Sequence, residues 1–84
     1  MSDLPADHSI LIDTAEEKYG LPAGSYRSRV SAESAGNPSA VSKKGAIGYA
    51  QLMPDTAKEL GVDPRDPRAN LDGGAHYLNQ MMQK

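Results

Sequence analysis

One carboxylate in this sequence stands where its surroundings could tune it for acid–base chemistry. Glu33 is followed by Ser34 and then by Gly36-Asn37-Pro38, a combination that ends a helix. A Glu in the last helical turn meets the negative end of the helix dipole, and burial under the following loop would disfavour its charged form further. Both effects raise the pKa of a carboxyl group, which suits a general acid at neutral pH. Glu33 is therefore the best candidate in the sequence for a catalytic acid; the alternative is a solvated Glu near a helix end.

Four residues near Glu33 along the chain are candidates for binding a ligand. The amide of Gln51 could orient a hydroxyl or an acetamido group, and Gly48 permits close approach of that group, the alternative being a capping or exposed Gln. Ser34 could bond a ligand or simply close the helix, and Tyr49 could line a cleft or fill the core. The candidate ligand-binding residues are Ser34, Gly48, Tyr49 and Gln51.

Composition excludes several classes of function. The chain has 84 residues, enough for one small domain, and lacks Cys, so it has neither disulfides nor a Cys-based metal site. His8 and His76 stand alone, and the spacing of Asp63, Asp66 and Asp72 matches no calcium loop, so we predict no metal and no cofactor. A net charge of −2 with interspersed signs argues against nucleic acid. No stretch is long enough for membrane insertion.

Apolar spacing and turn residues predict a mostly α fold of about four helices, with room for a short strand or two in the Gly-rich middle. Met53, Met81 and Met82 are interpreted as core residues. Paired glycines, Gly73 and Gly74, predict the close approach of another backbone. The predicted helices span Asp7 to Lys18, Ser25 to Ser34, a third from between 51 and 55 to just before Gly61, and Leu71 to Met82.

Helix ends were assigned from residues that cap helices. Asp7, Ser25 and Asn70 are predicted N-caps of the first, second and fourth helices, because short polar side chains accept hydrogen bonds from the first free amides. Asp72 would then lie in the first turn of the fourth helix, where the dipole favours it. Pro54 suits the first turn of the third helix.

Several motifs in fixed order resemble the catalytic domain of soluble lytic transglycosylases (SLT), in the goose-lysozyme-like branch of the lysozyme fold. The resemblance runs from about Asp7 to Met82 through AEEKYGLP, ESAGNPSAVSKKGAIG, QLMPDTAKELGV and NLDGGAHYL. It implies a lysozyme-like helical domain in which Glu33 matches the sole catalytic acid and Ser34 the serine after it. Gly48 and Gln51 match the ends of the family's Gly-Leu-Met-Gln motif, whose middle is replaced here by Tyr49-Ala50.

The resemblance also implies an activity, the cleavage of the bond between N-acetylmuramic acid and N-acetylglucosamine in peptidoglycan. Such a lyase needs no second carboxylate, because Glu33 would first protonate the leaving oxygen and then take the proton of the C6 hydroxyl that attacks to form a 1,6-anhydro product. A hydrolase that uses water is an open alternative. A non-catalytic glycan-binding or structural module that keeps the fold is another.

The biological setting was inferred from what the sequence does not contain. The family's Ala-Tyr-Asn-Ala-Gly motif is absent, so we expect 1–84 to be the N-terminal and central part of a domain, which leaves the activity of this short chain open. The N-terminal stretch does not resemble a secretory leader. We therefore expect a phage virion protein that opens the host cell wall during genome entry, with peptidoglycan strands and other virion or tail proteins as partners. An exported bacterial periplasmic enzyme is the alternative.

Overall fold

The computed structural model describes residues 5–83. Residues 1–4 and Lys84 lie outside this range. The stretch that was compared with a secretory leader includes residues 1–4, and the family's next motif would follow Lys84. Within residues 5–83, isolated antiparallel bridges join Val41 to Ile47 and Ile47 to Leu52, and no longer strand forms. The predicted mostly α fold class is confirmed by four helices: α1 (Ala6–Lys18), α2 (Ser25–Ser34), α3 (Pro54–Leu60) and α4 (Pro67–Met82).

The predicted start of α4 is wrong by four residues, because Asp66 rather than Asn70 is its N-cap. The Asp66 side chain accepts a hydrogen bond from the amide of Arg68 at 3.1 Å, and Pro67 occupies the first helical position, where a proline loses no hydrogen bond. Asn70 therefore lies inside the helix. Asp72 lies beyond the first turn, where it pairs with Lys18 at 3.0 Å instead of meeting the dipole.

The first two helices also begin differently from the prediction. Pro5 precedes α1, which places Asp7 in the first turn instead of at the N-cap. Gly24, with a left-handed φ of 80°, is the N-cap of α2, and Ser25 is its first residue. Buried Glu16 does the capping from α1, since its carboxylate accepts the amides of Gly24 at 2.9 Å and Tyr26 at 3.0 Å.

The core lies between α1, α2 and α4, and Tyr49 of the segment 35–53 packs into it. α1 packs against both other helices, which buries Ile12, Val30 and Leu71 completely. Tyr49 of the segment fills the remaining volume and is also fully buried. Within residues 5–83, no helix is both long and apolar enough to cross a membrane.

Close approach at the paired glycines is confirmed, but side chains rather than another backbone make it. A Cβ on Gly74 would collide with the side chain of Ala50 and would stand 2.5 Å from the hydroxyl of Tyr26. A Cβ on Gly73 would stand 2.9 Å from a methyl group of Val62. α4 therefore bears glycine where the residues around Ala50 and α2 must pack against it.

Candidate functional site

A groove of about 140 Å³ runs between α2, the end of the segment 35–53 and α4. It brings Glu33 and Gln51, two of the predicted site residues, to one surface although they lie on different elements. The lining residues are Tyr26, Arg29, Val30 and Glu33 of α2, residues 50–53, Thr56 of α3, and Gly74, Tyr77 and Leu78 of α4.

Glu33 lies in the last turn of α2, as predicted, because Ala35 ends the helix in the left-handed conformation with a φ of 54°. The predicted burial is wrong, since the side chain of Glu33 is exposed. The following segment does not cover Glu33. It packs against α4, where the amide of Ala50 donates to the Asn70 side chain at 2.8 Å. Glu33 thus stands on an open groove wall.

Gln51 lines the same groove with a strained backbone. Its φ of 52° is left-handed, a conformation that non-glycine residues seldom adopt. The side-chain amide donates to the carbonyl oxygens of Ala40 at 3.1 Å and Gly48 at 2.9 Å, which holds the segment in its fold. Among residues 5–83 no donor reaches its Oε1, so this oxygen can accept a hydrogen bond from a ligand.

The other three predicted binding residues are buried and do not line the groove. Ser34 is buried, and its hydroxyl donates to the carbonyl of Val30 at 3.0 Å. Gly48 is buried with a φ of 77°. Of the two positions considered for Tyr49, the structure places the ring in the core, with its hydroxyl 2.6 Å from Nδ1 of His8. Burial, with a smaller contribution from the negative charge of Asp7, raises the pKa of Tyr49.

Tyr26 forms the buried back of the groove. Its hydroxyl donates to the carbonyl of Leu71 at 2.6 Å, which ties α2 to α4. Burial is the main cause that raises the pKa of Tyr26 well above the usual range of a tyrosine. The residue is therefore a neutral structural link at any pH near neutrality.

Several lining residues were missed or misassigned from the sequence. Met53 and Tyr77 expose 41% and 38% of their surface, so Met53 does not belong to the core as predicted, and neither do exposed Met81 and Met82. The position of Tyr77 could have been found from its spacing of three residues from Gly74, which places both on one face of α4. Apolar side chains exposed in a groove with a few polar groups are typical of a ligand site.

The groove carries a single acidic group among the described residues that line it. Glycosidases that use two carboxylates place them about 5–9.5 Å apart across the scissile bond. Here only Glu33 contributes a carboxyl group, and the other polar side chains are those of Tyr26, Arg29, Gln51, Thr56 and Tyr77. This arrangement suits chemistry in which one residue both donates and accepts the proton.

Comparisons with known proteins identify the family of this domain. The family model described as the transglycosylase SLT domain matches residues 10–84. A transglycosylase of Enterobacteria phage PRD1 is 42% identical over 74 residues, which cover 87% of this chain and 28% of the phage protein. Membrane-bound lytic murein transglycosylase F 1 of Alkalilimnicola ehrlichii is 37% identical over 73 residues, or 86% of this chain and 15% of that protein.

A shorter match of higher identity comes from Pectobacterium atrosepticum. Its membrane-bound lytic murein transglycosylase F is 45% identical over 53 residues, which cover 62% of this chain and 11% of that protein. The chain thus spans less than a third of the length of each of these relatives. Since the family model covers nearly all of residues 5–83, the chain belongs to the transglycosylase SLT domain family, with the lysozyme-like helical fold.

Proposed function

We propose that this domain is a peptidoglycan lytic transglycosylase in which Glu33 is the catalytic acid and base. The observation that carries the proposal is that Glu33 is the one carboxylate among the described residues that line the groove, which it shares with the side chain of Gln51. Relatives named transglycosylase and lytic murein transglycosylase support the reaction class.

The proposed reaction consumes no water. Glu33 donates its proton to the glycosidic oxygen, the bond from that oxygen to C1 of N-acetylmuramic acid breaks, and the electron pair leaves with N-acetylglucosamine. The Glu33 carboxylate then takes the proton of the C6 hydroxyl while the C6 oxygen of the sugar bonds to C1. This step gives the 1,6-anhydro end and restores the protonated Glu33. A glycan in the groove would cover the exposed carboxyl group and exclude water from the step.

In the proposed complex, Gln51 and Tyr77 hold the sugar. The Oε1 atom of Gln51 accepts a hydrogen bond from a sugar hydroxyl or acetamido N–H, and the exposed ring of Tyr77 packs against a sugar face. Ser34, Gly48 and Tyr49 act through the groove wall and not by direct contact, because all three are buried.

Mass spectrometry of muropeptides tests the reaction, with purified peptidoglycan as substrate. Anhydro ends are expected, and reducing ends would instead make the domain a hydrolase. Glu33→Gln should lower kcat by about 10²–10⁴-fold, the usual contribution of a general acid. Glu17→Gln is the matched control, because Glu17 is an exposed Glu of α1 that does not line the groove. Binding of the glycan without cleavage by either the unmodified chain or Glu33→Gln would favour a non-catalytic glycan-binding module.

The relative from phage PRD1 supports a virion setting for the parent protein. We propose that the domain opens the host cell wall during genome entry, as part of a virion protein that contacts other virion or tail proteins. Proteomic analysis of purified particles should then recover peptides of this chain. Their absence from particles, together with their presence in a bacterial periplasmic fraction, would favour the exported bacterial enzyme.

A further inference from the structure

Asn70 of α4 is fully buried, and its side chain makes hydrogen bonds to the backbone of segments outside the helix. Its Oδ1 accepts the amide of Ala50 at 2.8 Å. Its Nδ2 donates to the carbonyl of Ile47 at 2.8 Å and to that of Pro64 at 2.9 Å. A buried side-chain amide that makes all three hydrogen bonds fixes the distance between the segments that it joins. Breaking any one of these bonds would leave a buried polar group unpaired.

The residues that Asn70 holds lead directly to the groove. Gln51 follows Ala50, and its left-handed backbone leaves it little freedom to compensate for a shift of its neighbour. Asn70, Gly74 and Tyr77 recur on one face of α4, since they are spaced by four and three residues. One face of α4 thus anchors the segment, admits the side chain of Ala50 at Gly74, and lines the groove with Tyr77.

Gly48 shows how closely Asn70 fits against this segment. A Cβ at position 48 would collide with Nδ2 of Asn70, stand 2.8 Å from its Cγ and lie 3.1 Å from the carbonyl oxygen of Pro64. Other left-handed glycines of the chain, such as Gly61 with a φ of 72°, have nothing within 4 Å of the same position. The need for glycine at 48 therefore comes from Asn70 as well as from the backbone angle.

We propose that Asn70 is a positioning residue, which holds residues 47–50 against α4 and thereby sets the place of Gln51 in the groove that it shares with Glu33. Its effect on catalysis rests on the proposed function. Its effect on the segment does not, because the place of Gln51 can be measured without turnover.

Two variants break the contact from opposite sides. Asn70→Asp keeps the acceptor for the amide of Ala50 but sets a carboxylate oxygen against the carbonyls of Ile47 and Pro64. Gly48→Ala leaves Asn70 in place and adds the colliding methyl group. Gly61→Ala is the matched control, because it imposes the same left-handed strain with no collision.

At a temperature where circular dichroism shows every variant folded, Asn70→Asp and Gly48→Ala should lower kcat by about 10–100-fold, the cost of misplacing a site by about 1 Å. Both should also shift the NMR resonances of the Gln51 side-chain amide. Gly61→Ala should leave kcat and these resonances close to those of the unmodified protein. A loss of kcat without a shift of Gln51, or a shift without a loss, would overturn the proposal.

Amide hydrogen exchange of the unmodified protein gives a test that needs no variant. The amide of Ala50 should exchange as slowly as the core amides of α4, since it is released only when Asn70 is. Exchange at the rate of the exposed residues 42–44 would overturn the proposal. If the unmodified chain forms neither anhydro nor reducing ends, the proposed function fails, while Ala50 exchange and the Gln51 resonances still decide what Asn70 holds.

Discussion

The helical frame, formed by α1, α2 and α4, and the segment 35–53 are held by different kinds of interaction. The frame depends on buried apolar side chains, with Ile12, Val30 and Leu71 completely removed from solvent. The segment makes short contacts to particular atoms, such as those of Asn70 and the Gln51 side chain. Apolar burial tolerates small shifts, whereas a hydrogen bond fails at a few tenths of an ångström. Damage to the frame should therefore reduce stability, and damage to the segment should displace the groove.

The largest stability effect is expected in the frame. Ile12→Ala should lower the free energy of unfolding by about 2–5 kcal/mol, because it removes a fully buried side chain and leaves a cavity. A domain of this size has little stability to lose. Urea denaturation followed by circular dichroism measures the change.

Ile10→Ala is the control for Ile12→Ala within the same helix. Ile10 is 63% exposed, so its truncation should change the free energy of unfolding by no more than about 0.5 kcal/mol. Equal losses in the two variants would mean that α1 is not packed as described, and that the frame is not held mainly by apolar burial.

The same division explains which parts of the fold could be predicted from the sequence. The end of α2 and the bounds of α3 follow from local residues, since Pro54 and Gly61 act within their own turns. The start of α4 also has a local signal, since Pro67 is a first helical residue after the Asp66 cap, but the cap was predicted at Asn70, four residues later. That error concerned the interpretation of a local signal.

The features of the site that the sequence left open or predicted wrongly have a different origin, because they depend on contacts between distant residues. Whether Tyr49 lies in the cleft or the core depends on His8 of α1, and whether Glu33 is covered depends on where Asn70 draws the segment. No periodicity in the sequence encodes either contact. Glu33 could be identified as the catalytic candidate from its residue type and its place at a helix end. Its exposure in the groove could not be predicted.

A second prediction tests the polar link that the frame does contain. Because burial raises the pKa of Tyr26 above the value of about 10 in the unfolded chain, its neutral form stabilises the fold fully below pH 10. As the pH rises further, the unfolded chain loses this proton first, and the free energy of unfolding should fall by up to about 1.4 kcal/mol per pH unit. Tyr26→Phe should flatten this alkaline loss.

Tyr77→Phe separates this effect from the general alkaline response. Tyr77 is 38% exposed, and Tyr77→Phe serves as the control for the loss of one tyrosine hydroxyl. Some slope should persist in Tyr26→Phe, because the pKa of buried Tyr49 is raised as well. Thermal unfolding between pH 8 and 11 measures all three proteins, and an identical slope in Tyr26→Phe and the unmodified protein would contradict the assignment.

The smallest expected effect lies at the junction between the frame and the segment, and its sign is opposite to the others. Ala35 holds a left-handed φ of 54°, which costs a non-glycine residue about 1 kcal/mol. Ala35→Gly should therefore raise the free energy of unfolding by about 0.5–1 kcal/mol. Ala32→Gly, at an exposed position inside α2, should lower it by about 1 kcal/mol. If both changes destabilise alike in urea, position 35 does not hold the strained turn that ends α2 beside Glu33, and the chain enters the segment by another path.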